Sequence, residues 1–151
     1  MDSDSRREIE ALIPHRDPFL LVDKILERSE NEIHTEWCAR EDLEAFRGHY
    51  PGYPILPGVL ISEFVFQSSA LLLADPDAPS VTEGGPVPVL TKIENARYKR
   101  MVRPGETLRA QVTLNESVGN ARYLSAKVQS GSETVLRIRF VVAEVPVPAE
   151  V

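Results

Sequence analysis

The feature that most constrains the fold is a loop dense with proline and glycine, GHYPGYPILPG, which begins at Gly48. Pro51, Pro54 and Pro57 exclude regular helix within it, because proline lacks an amide hydrogen and has a fixed φ. Pro57 suits the first turn of a following helix, where the missing N–H costs nothing. That helix is predicted from Gly58 to about Leu73, and it is apolar almost all round, which is typical of a buried helix.

The chain after this helix is rich in β-branched and aromatic residues to its end. Short turn sequences, PGE, GN and SGS, divide it into successive strands. The predicted strands are Val87 to Arg100, Thr107 to Val118, Tyr123 to Ser130 and Glu133 to Val145. We therefore expect a single α+β domain over residues 1–151, with a long antiparallel sheet and one buried central helix.

Secondary structure in the N-terminal third is predicted from weaker sequence patterns. Arg6 to Leu12 is predicted as a short amphipathic helix, with Ser3 or Ser5 as its N-cap and Pro14 as its end. From Phe19 the segment FLLVDKILE is apolar enough for a strand. The segment EIHTEWC then alternates apolar and polar side chains, a period of two that predicts a half-buried strand.

Composition excludes several classes of function. The net charge of −6 argues against general nucleic-acid binding, which needs a broadly basic face. The longest apolar stretch, Val59 to Ala74, is interrupted by polar residues and is shorter than the about 20 residues of a membrane span. The N-terminus has no apolar core of a secretory signal, and Cys38 is the only cysteine. We expect a cytoplasmic protein without a membrane span.

Four residues around the loop and helix form a set with chemical meaning. His49 stands at the mouth of the rigid loop, and Glu63 lies in the second turn of the apolar helix. Burial disfavours an ionised carboxyl group, so Glu63 is predicted to have a raised pKa and to donate a proton. Gln67, four residues on, shares its helix face and can orient it by a hydrogen bond. The free amide of Gly58, at the positive end of the helix, suits a carbonyl oxygen that gains charge.

Each of these residues alone has a simpler explanation. A histidine in a loop is more often a surface or capping residue, and Gln67 alone is expected to be structural. Glu63 has no basic neighbour three or four residues away on the helix, which weakens the alternative of a local ion pair. A base, an acid and an oxyanion donor together are the parts of an α,β-elimination.

At this segment the sequence resembles the β-hydroxyacyl-acyl carrier protein dehydratases of the FabZ type. Their motif HFPGxPxMPGVL, followed by a helix with Glu and then Gln four residues later, stands here as HYPGYPILPGVL with Glu63 and Gln67. Upstream, LIPHRDPFLLVDKI is similar to the family's LLPHRYPFLLVDRV. Downstream, NARYKRMVRPGETL is similar to KARFRRPVVPGDQL. The resemblance covers roughly residues 12–142.

The resemblance implies a hotdog fold, in which a curved antiparallel sheet wraps around the central helix. It also implies a homodimer whose sheets join edge to edge, so that His49 of one chain faces Glu63 of the other. Family members often assemble further into a trimer of dimers. The substrate implied is a (3R)-3-hydroxyacyl thioester on an acyl carrier protein or coenzyme A, in fatty-acid or other lipid biosynthesis. His49 would remove the C2 proton, the Gly58 amide would hold the thioester oxygen, and Glu63 would protonate the leaving hydroxyl.

The chain departs from the family pattern at three places. It has CAREDLEAFRGHY where the family leads into the histidine with VT-x-NE-x-FF-x-GHF, and Asp17 replaces the usual tyrosine. GGPVPVLTKIENA keeps little of the usual sequence between helix and strand. These segments lie near the expected entrance and tunnel, which leaves acyl-chain length and carrier preference open.

A local basic run stands out on this acidic chain. It comprises Arg97, Lys99, Arg100 and Arg103, and it is a candidate docking surface for an acidic carrier protein, with a solvated strand face as the alternative. No metal site is predicted, since one Cys and three dispersed His residues give no ligand spacing. No nucleotide cofactor is predicted either, because there is no glycine fingerprint.

Two other functions remain open from the sequence. Hotdog proteins also act as acyl-thioesterases, which rely on a helix carboxylate that activates water; the presence of both His49 and Gln67 favours dehydration instead. A non-catalytic hotdog subunit that stabilises a partner is the third alternative. Its weakness is that such a subunit would gain nothing from a carboxyl group on an apolar helix.

Overall fold

The computed structural model of the chain describes residues 2–146. Its helices are α1 (Ser3–Leu12), α2 (Glu44–Gly48) and α3 (Gly58–Leu73), and a short 3₁₀ turn covers Val81–Glu83. Its strands are β1 (Lys24–Arg28), β2 (Glu32–Cys38), β3 (Pro86–Tyr98), β4 (Thr107–Val118), β5 (Ala121–Ser130) and β6 (Glu133–Pro146). The central helix and the four strands after it are thus confirmed, with small shifts at their ends.

The six strands form one antiparallel sheet in the order β1-β2-β4-β5-β6-β3. Helix α3 packs on one face of this sheet, which we call the inner face, and contacts β2, β3, β4 and β5. Phe64 and Leu71 of α3 are fully buried there. A curved sheet around one central helix is the hotdog arrangement, so the expected α+β fold is confirmed.

Strand alternation divides the sheet into an apolar inner face and a polar outer face. On β2, Ile33, Thr35 and Trp37 are buried, as the two-residue period predicts. Thr35 is the polar member of this row, and its hydroxyl hydrogen-bonds the hydroxyl of Ser68 on α3 at 2.7 Å. This hydrogen bond satisfies two buried hydroxyl groups and links strand β2 to helix α3.

The N-terminal helix begins earlier than the sequence indicates. Helix α1 starts at Ser3 rather than Arg6, and its N-cap is Asp2, whose carboxylate accepts from the Ser5 amide at 2.8 Å. The prediction of Ser3 or Ser5 as N-cap was wrong. The Asp2 carboxylate thus gives the Ser5 amide a charged acceptor, and the positive end of the helix stabilises this charge in turn.

The predicted strand from Phe19 is correct only in its second half. Strand β1 spans Lys24–Arg28, whereas Leu20, Leu21 and Val22 are buried without joining the strand. The Leu21 amide donates instead to the side chain of Gln67 at 2.8 Å. An apolar run predicts burial, but it does not identify the partner of the backbone, and here that partner is a side chain of α3.

Helix α3 differs from the prediction in two details. Pro57 precedes the helix as its N-cap residue instead of lying in its first turn. The helix is also not buried all round, because the side chain of Val59 is 73% exposed. Within residues 2–146, every helix is too short or too polar to cross a lipid bilayer.

Candidate active site

The loop that carries His49 is fixed by its backbone. Helix α2 ends at Gly48, and His49 follows as its C-cap residue. Tyr50 and Gly52 have positive φ values of 58° and 86°, which turn the chain sharply. The Leu56 amide then donates to the Val102 carbonyl at 2.8 Å, so the loop is tied to the segment that follows β3.

The hydrogen bond of His49 determines which of its ring nitrogens is free. Nδ1 lies 2.8 Å from the carbonyl oxygen of Ile55. A carbonyl can only accept, so Nδ1 carries the hydrogen, and in the neutral ring Nε2 keeps its lone pair. The ring is only partly buried and meets the edge of Tyr50 at 4.7 Å between centroids. His49 is therefore held in the tautomer that can accept a proton at Nε2.

An open groove of about 430 Å³ lies beside this histidine. Its lining brings together His49 and Gly58 of the predicted catalytic set and Lys99 and Arg100 of the basic run, and it also includes Ile61, Tyr98 and Met101. The side of the groove formed by Ile61, Tyr98 and Met101 is largely apolar, and Lys99 adds a cation. The groove thus offers a base, a helix N-terminus and room for an apolar chain.

Gly58 allows close approach at the helix N-terminus. A Cβ atom at this position would meet the Tyr98 ring atoms Cδ1 and Cε1 at 3.0 Å, tighter than ordinary packing. The Gly58 amide is the first of α3 and finds no backbone acceptor among residues 2–146, so it is free to donate to a ligand. The absence of a side chain is what lets the Tyr98 ring lie against the start of the helix.

Tyr98 is a site residue that the sequence argument missed. It lines the groove, and its hydroxyl forms a hydrogen bond with that of Ser62, one turn after Gly58. A signal existed in the sequence: Ser62 is a small polar residue on an apolar helix, and a buried hydroxyl there requires a partner. What the sequence could not give is the strand that supplies this partner.

Glu63 is partly buried on α3, and its pKa is raised. Removal of the carboxyl group from water is the main cause of this rise in pKa. The side-chain amide of Gln67 donates to Oε1 of Glu63 at 3.1 Å and opposes the rise, but its effect is the smaller one. Both the predicted direction of the pKa shift and the Glu63–Gln67 hydrogen bond are present.

Gln67 is fully buried and its amide has one defined orientation. Oε1 accepts from the Leu21 amide and Nε2 donates to the Phe19 carbonyl, each at 2.8 Å. Since the Leu21 N–H can only donate, the nitrogen of Gln67 must face Phe19 and Glu63. The segment before β1 therefore holds the amide that orients the Glu63 carboxyl group.

His49 and Glu63 do not meet on one side of the helix. Successive residues of an α-helix are rotated by about 100°, so Glu63 is rotated by about 140° from Gly58 and about 160° from Ile61. Gly58 and Ile61 line the His49 groove, and Glu63 does not. A single chain thus presents His49 and Glu63 on opposite sides of α3.

The predicted basic run does not form one surface. Arg100 is paired with the carboxylates of Glu106 and Glu133, which neutralise its charge. Arg103 lies over the ring of Tyr53, at 4.5 Å from the centroid, and also donates to the hydroxyl of that tyrosine. These two guanidinium groups are committed to contacts within the chain.

The other two members of the run point to different places. Lys99 lines the groove beside His49. Arg97 is paired in register with Arg137 of β6, on the outer face of the sheet. Within residues 2–146, no cluster of His, Cys, Asp and Glu has the arrangement of a metal site.

Comparisons with known proteins agree with this architecture. The family model described as ApeI-like, ApeI dehydratase, matches residues 26–135. A 3-hydroxyacyl-[acyl-carrier-protein] dehydratase FabZ from Pseudothermotoga lettingae is 43% identical over 124 residues, which are 81% of this chain and 84% of that protein. A protein of the same name from Chloroflexus aggregans is 46% identical over 112 residues, covering 73% and 74% of the two chains.

Solved structures share the fold at low sequence identity. The dehydratase heterocomplex ApeI:P from Xenorhabdus doucetiae has a chain that superposes with a TM-score of 0.74 at 16% identity, covering 91% of this chain and 90% of that one. A hypothetical thioesterase from Streptococcus pneumoniae, solved with coenzyme A, has a TM-score of 0.64 at 10% identity, with 95% of each chain covered. At these identities the likeness is one of fold.

Proposed function

The chain belongs to the ApeI-like dehydratase family, and we propose that it is a hydro-lyase that converts a (3R)-3-hydroxyacyl-[acyl-carrier-protein] to the trans-2-enoyl thioester. The relatives named FabZ, at 43% and 46% identity, support this reaction and this carrier. The observation that carries the proposal is the tautomer of His49, whose Nδ1 is bound to the Ile55 carbonyl and whose Nε2 can take a proton.

In the proposed mechanism the C–H and C–O bonds break on neighbouring carbons. His49 Nε2 takes the proton from C2, and the electron pair moves towards the thioester carbonyl, whose oxygen accepts from the Gly58 amide. The pair then forms the C2–C3 double bond as the 3-hydroxyl leaves. Protonated Glu63 gives its proton to that hydroxyl, so water is released, and the burial that raises the pKa of Glu63 favours this protonated form.

The mechanism requires Glu63 of a second chain, because the two groups lie on opposite sides of α3. Strand β3 is an edge of the sheet, and Val89, Leu90 and Ile93 on it are exposed. An exposed, apolar edge strand is suited to pairing with another strand. We propose a homodimer in which two β3 strands pair and Glu63 of each chain completes the groove at His49 of the other. Assembly of three such dimers into a hexamer is an extension of the same proposal.

The biological setting belongs to the same proposal. The names of the relatives specify an acyl carrier protein, and this favours that carrier over coenzyme A for the present chain. The reaction would then belong to fatty-acid or a related lipid biosynthesis. A reducing cytoplasm suits the single free Cys38. The three departures from the family pattern lie near the expected substrate entrance and tunnel, so the acyl-chain length is left to experiment.

The test is a spectroscopic assay of enoyl-thioester formation. Purified protein is incubated with 3-hydroxyacyl thioesters of a carrier protein, and absorbance of the conjugated product is followed in the native protein and in His49→Ala and Glu63→Gln. Loss of either acid–base group should lower kcat by a factor on the order of 10² to 10⁴. His34→Ala, on the outer face of β2, is the matched control and should keep its activity.

Two results would contradict the proposal. Release of free thiol without enoyl product would identify a thioesterase. Native turnover that persists in both His49→Ala and Glu63→Gln would place the chemistry elsewhere in the molecule.

A further inference from the structure

Four cations lie together on the outer face of the sheet. Register pairs Arg97 of β3 with Arg137 of β6, and Arg137 with Lys127 of β5. Arg139 lies two residues further along β6, on the same face. Neighbouring strands place paired Cα atoms about 5 Å apart, so these four residues, the outer-face cluster, form one continuous surface.

The outer-face cluster has no acidic partner within residues 2–146. Other arginines of the sheet are paired, as Arg109 is with Glu36 at 3.0 Å and Arg122 with Glu144 at 3.1 Å. Like charges directly opposite each other in a sheet are destabilising. The protein as a whole carries a net charge of −6, so this concentration of free positive charge is not a consequence of composition.

The geometry of the cluster suits carboxylates. Arg97, Arg137 and Arg139 line a shallow depression of about 330 Å³, together with the polar side chains of Asn95 and Ser125. Guanidinium groups bind carboxylates through two parallel hydrogen bonds, and the flanking polar groups add further hydrogen-bonding capacity. Among the acids on this face, Glu27, Glu32 and Glu36 lie on β1 and β2, at least two strands from β5. Glu116 of β4 pairs in register with Tyr123, four residues along β5 from Lys127.

The outer-face cluster also lies close to the groove along the chain. Tyr98 and Lys99, which line the groove, follow Arg97 directly. Residues two apart in a strand are separated by about 7 Å, so the cluster ends where the groove begins. Arg100 and Arg103 are occupied by contacts within the chain, so Lys99 in the groove and the outer-face cluster beyond it carry the unpaired positive charge of this region.

We propose that the outer-face cluster is the docking surface for the acidic carrier protein that delivers the acyl substrate. Aspartate and glutamate side chains of the carrier pair with Arg97, Arg137 and Arg139, and the flexible arm that bears the thioester turns around the end of β3, past Lys99, into the groove. This assignment rests on the proposed function for the identity of the cargo. The proposed docking surface keeps Arg97 of the basic run. It replaces Arg100 and Arg103 with residues on β5 and β6.

The test measures carrier binding directly, so that it does not depend on turnover. A phosphopantetheine-bearing acyl carrier protein is titrated by calorimetry into the native protein and into Arg137→Glu/Arg139→Glu. We expect affinity to fall on the order of tenfold or more, with a matching loss of salt dependence. The control is Arg7→Glu/Lys24→Glu, which changes the net charge equally at exposed positions on α1 and β1 and should bind as the native protein does. If the double variant does not fold, Lys127→Glu serves as the second probe.

A second readout separates this proposal from the proposed function. The ratio of kcat/KM for the carrier-bound substrate to that for the N-acetylcysteamine thioester should fall in the cluster variant alone. Unchanged carrier binding in the cluster variants, an equal loss in the control, or no carrier binding by the native protein would overturn the docking surface, whatever the turnover. Cluster-dependent binding of anionic lipid vesicles or an oligonucleotide, without carrier binding, would also overturn it. Failure of dehydration with cluster-dependent carrier binding intact would contradict the proposed reaction and leave the docking surface supported.

Discussion

Gln67 donates a hydrogen bond from Nε2 to Oε1 of Glu63 at 3.1 Å, one turn away on helix α3. The same amide is fixed by the backbone of Phe19 and Leu21, in the segment that leads into the sheet. The orientation of the proposed acid is therefore set by a part of the chain more than forty residues earlier. The side chain of Gln67 thus links the packing of this segment to the orientation of the proposed acid.

The first prediction concerns this coupling. Gln67→Leu should lower the free energy of unfolding by about 1–3 kcal/mol, because the buried Leu21 N–H and the partly buried Phe19 carbonyl lose their side-chain partner. It should also lower kcat, since the Glu63 carboxyl loses its only side-chain donor among residues 2–146. Denaturant titration and the enoyl assay measure the two effects.

Ser69→Ala is the matched control for that variant. Ser69 is as buried as Gln67, but its hydroxyl donates only to the Phe66 carbonyl in the same helix, at 2.7 Å. Its loss should cost about 1 kcal/mol or less and leave kcat unchanged. Equal effects of the two substitutions would remove the special role given to Gln67.

The second prediction concerns the pH dependence of stability at Glu63. Burial raises its folded pKa above the ordinary value of 4.5. Below 4.5 the carboxyl is protonated in both states; above 4.5 the unfolded chain ionises first, which favours unfolding. The native protein should therefore lose stability relative to Glu63→Gln as pH rises from 4.5 through the raised pKa. Denaturation at pH 4 and pH 8 checks this, and a pH-independent difference would count against a raised pKa of Glu63.

The third prediction concerns Glu106, for which the pH dependence of stability has the opposite sign to that of Glu63. Its hydrogen bond with Arg100 lowers the pKa of this carboxyl group from 4.5 to about 2. Its stabilising effect is present above 4.5 and is lost as pH falls towards 2. Glu106→Gln should thus be less stable at pH 7 by about 1–3 kcal/mol, a difference that shrinks in acid. Glu27→Gln, at an exposed position of β1, should show no such change.

Much of the fold could be predicted from local patterns in the sequence. Proline and glycine set the boundary of α3 at Gly58, and the turn sequences separate β4, β5 and β6. The two-residue period of β2 predicts which of its side chains are buried. These are local signals, because each depends on residues close together in the chain.

The features that the sequence did not reveal depend on contacts between distant residues. Leu21 is buried but bound to Gln67 instead of a strand, and Tyr98 meets Ser62 across 36 residues. The outer-face cluster appears only when the register of β3, β5 and β6 is known. His49, Gly58, Glu63 and Gln67 could be identified from one continuous motif, but the opposite placement of His49 and Glu63 around α3 required the structure.

The fourth prediction follows from that opposite placement. If Glu63 acts across the interface, a dimer of one His49→Ala chain and one Glu63→Gln chain has one site with both groups intact and one with neither. Equal mixing of the two chains by refolding or co-expression should then restore activity to about a quarter of the native value, since about half of the dimers are mixed and each has one working site.

This complementation tests the central claim most directly. The two variants are each inactive alone, so any enoyl product above their sum must come from mixed dimers. We predict recovery to about a quarter of native kcat, with KM unchanged. No recovery, in a sample where mixed dimers are shown to form by differently tagged chains, would contradict a site shared between His49 of one chain and Glu63 of the other.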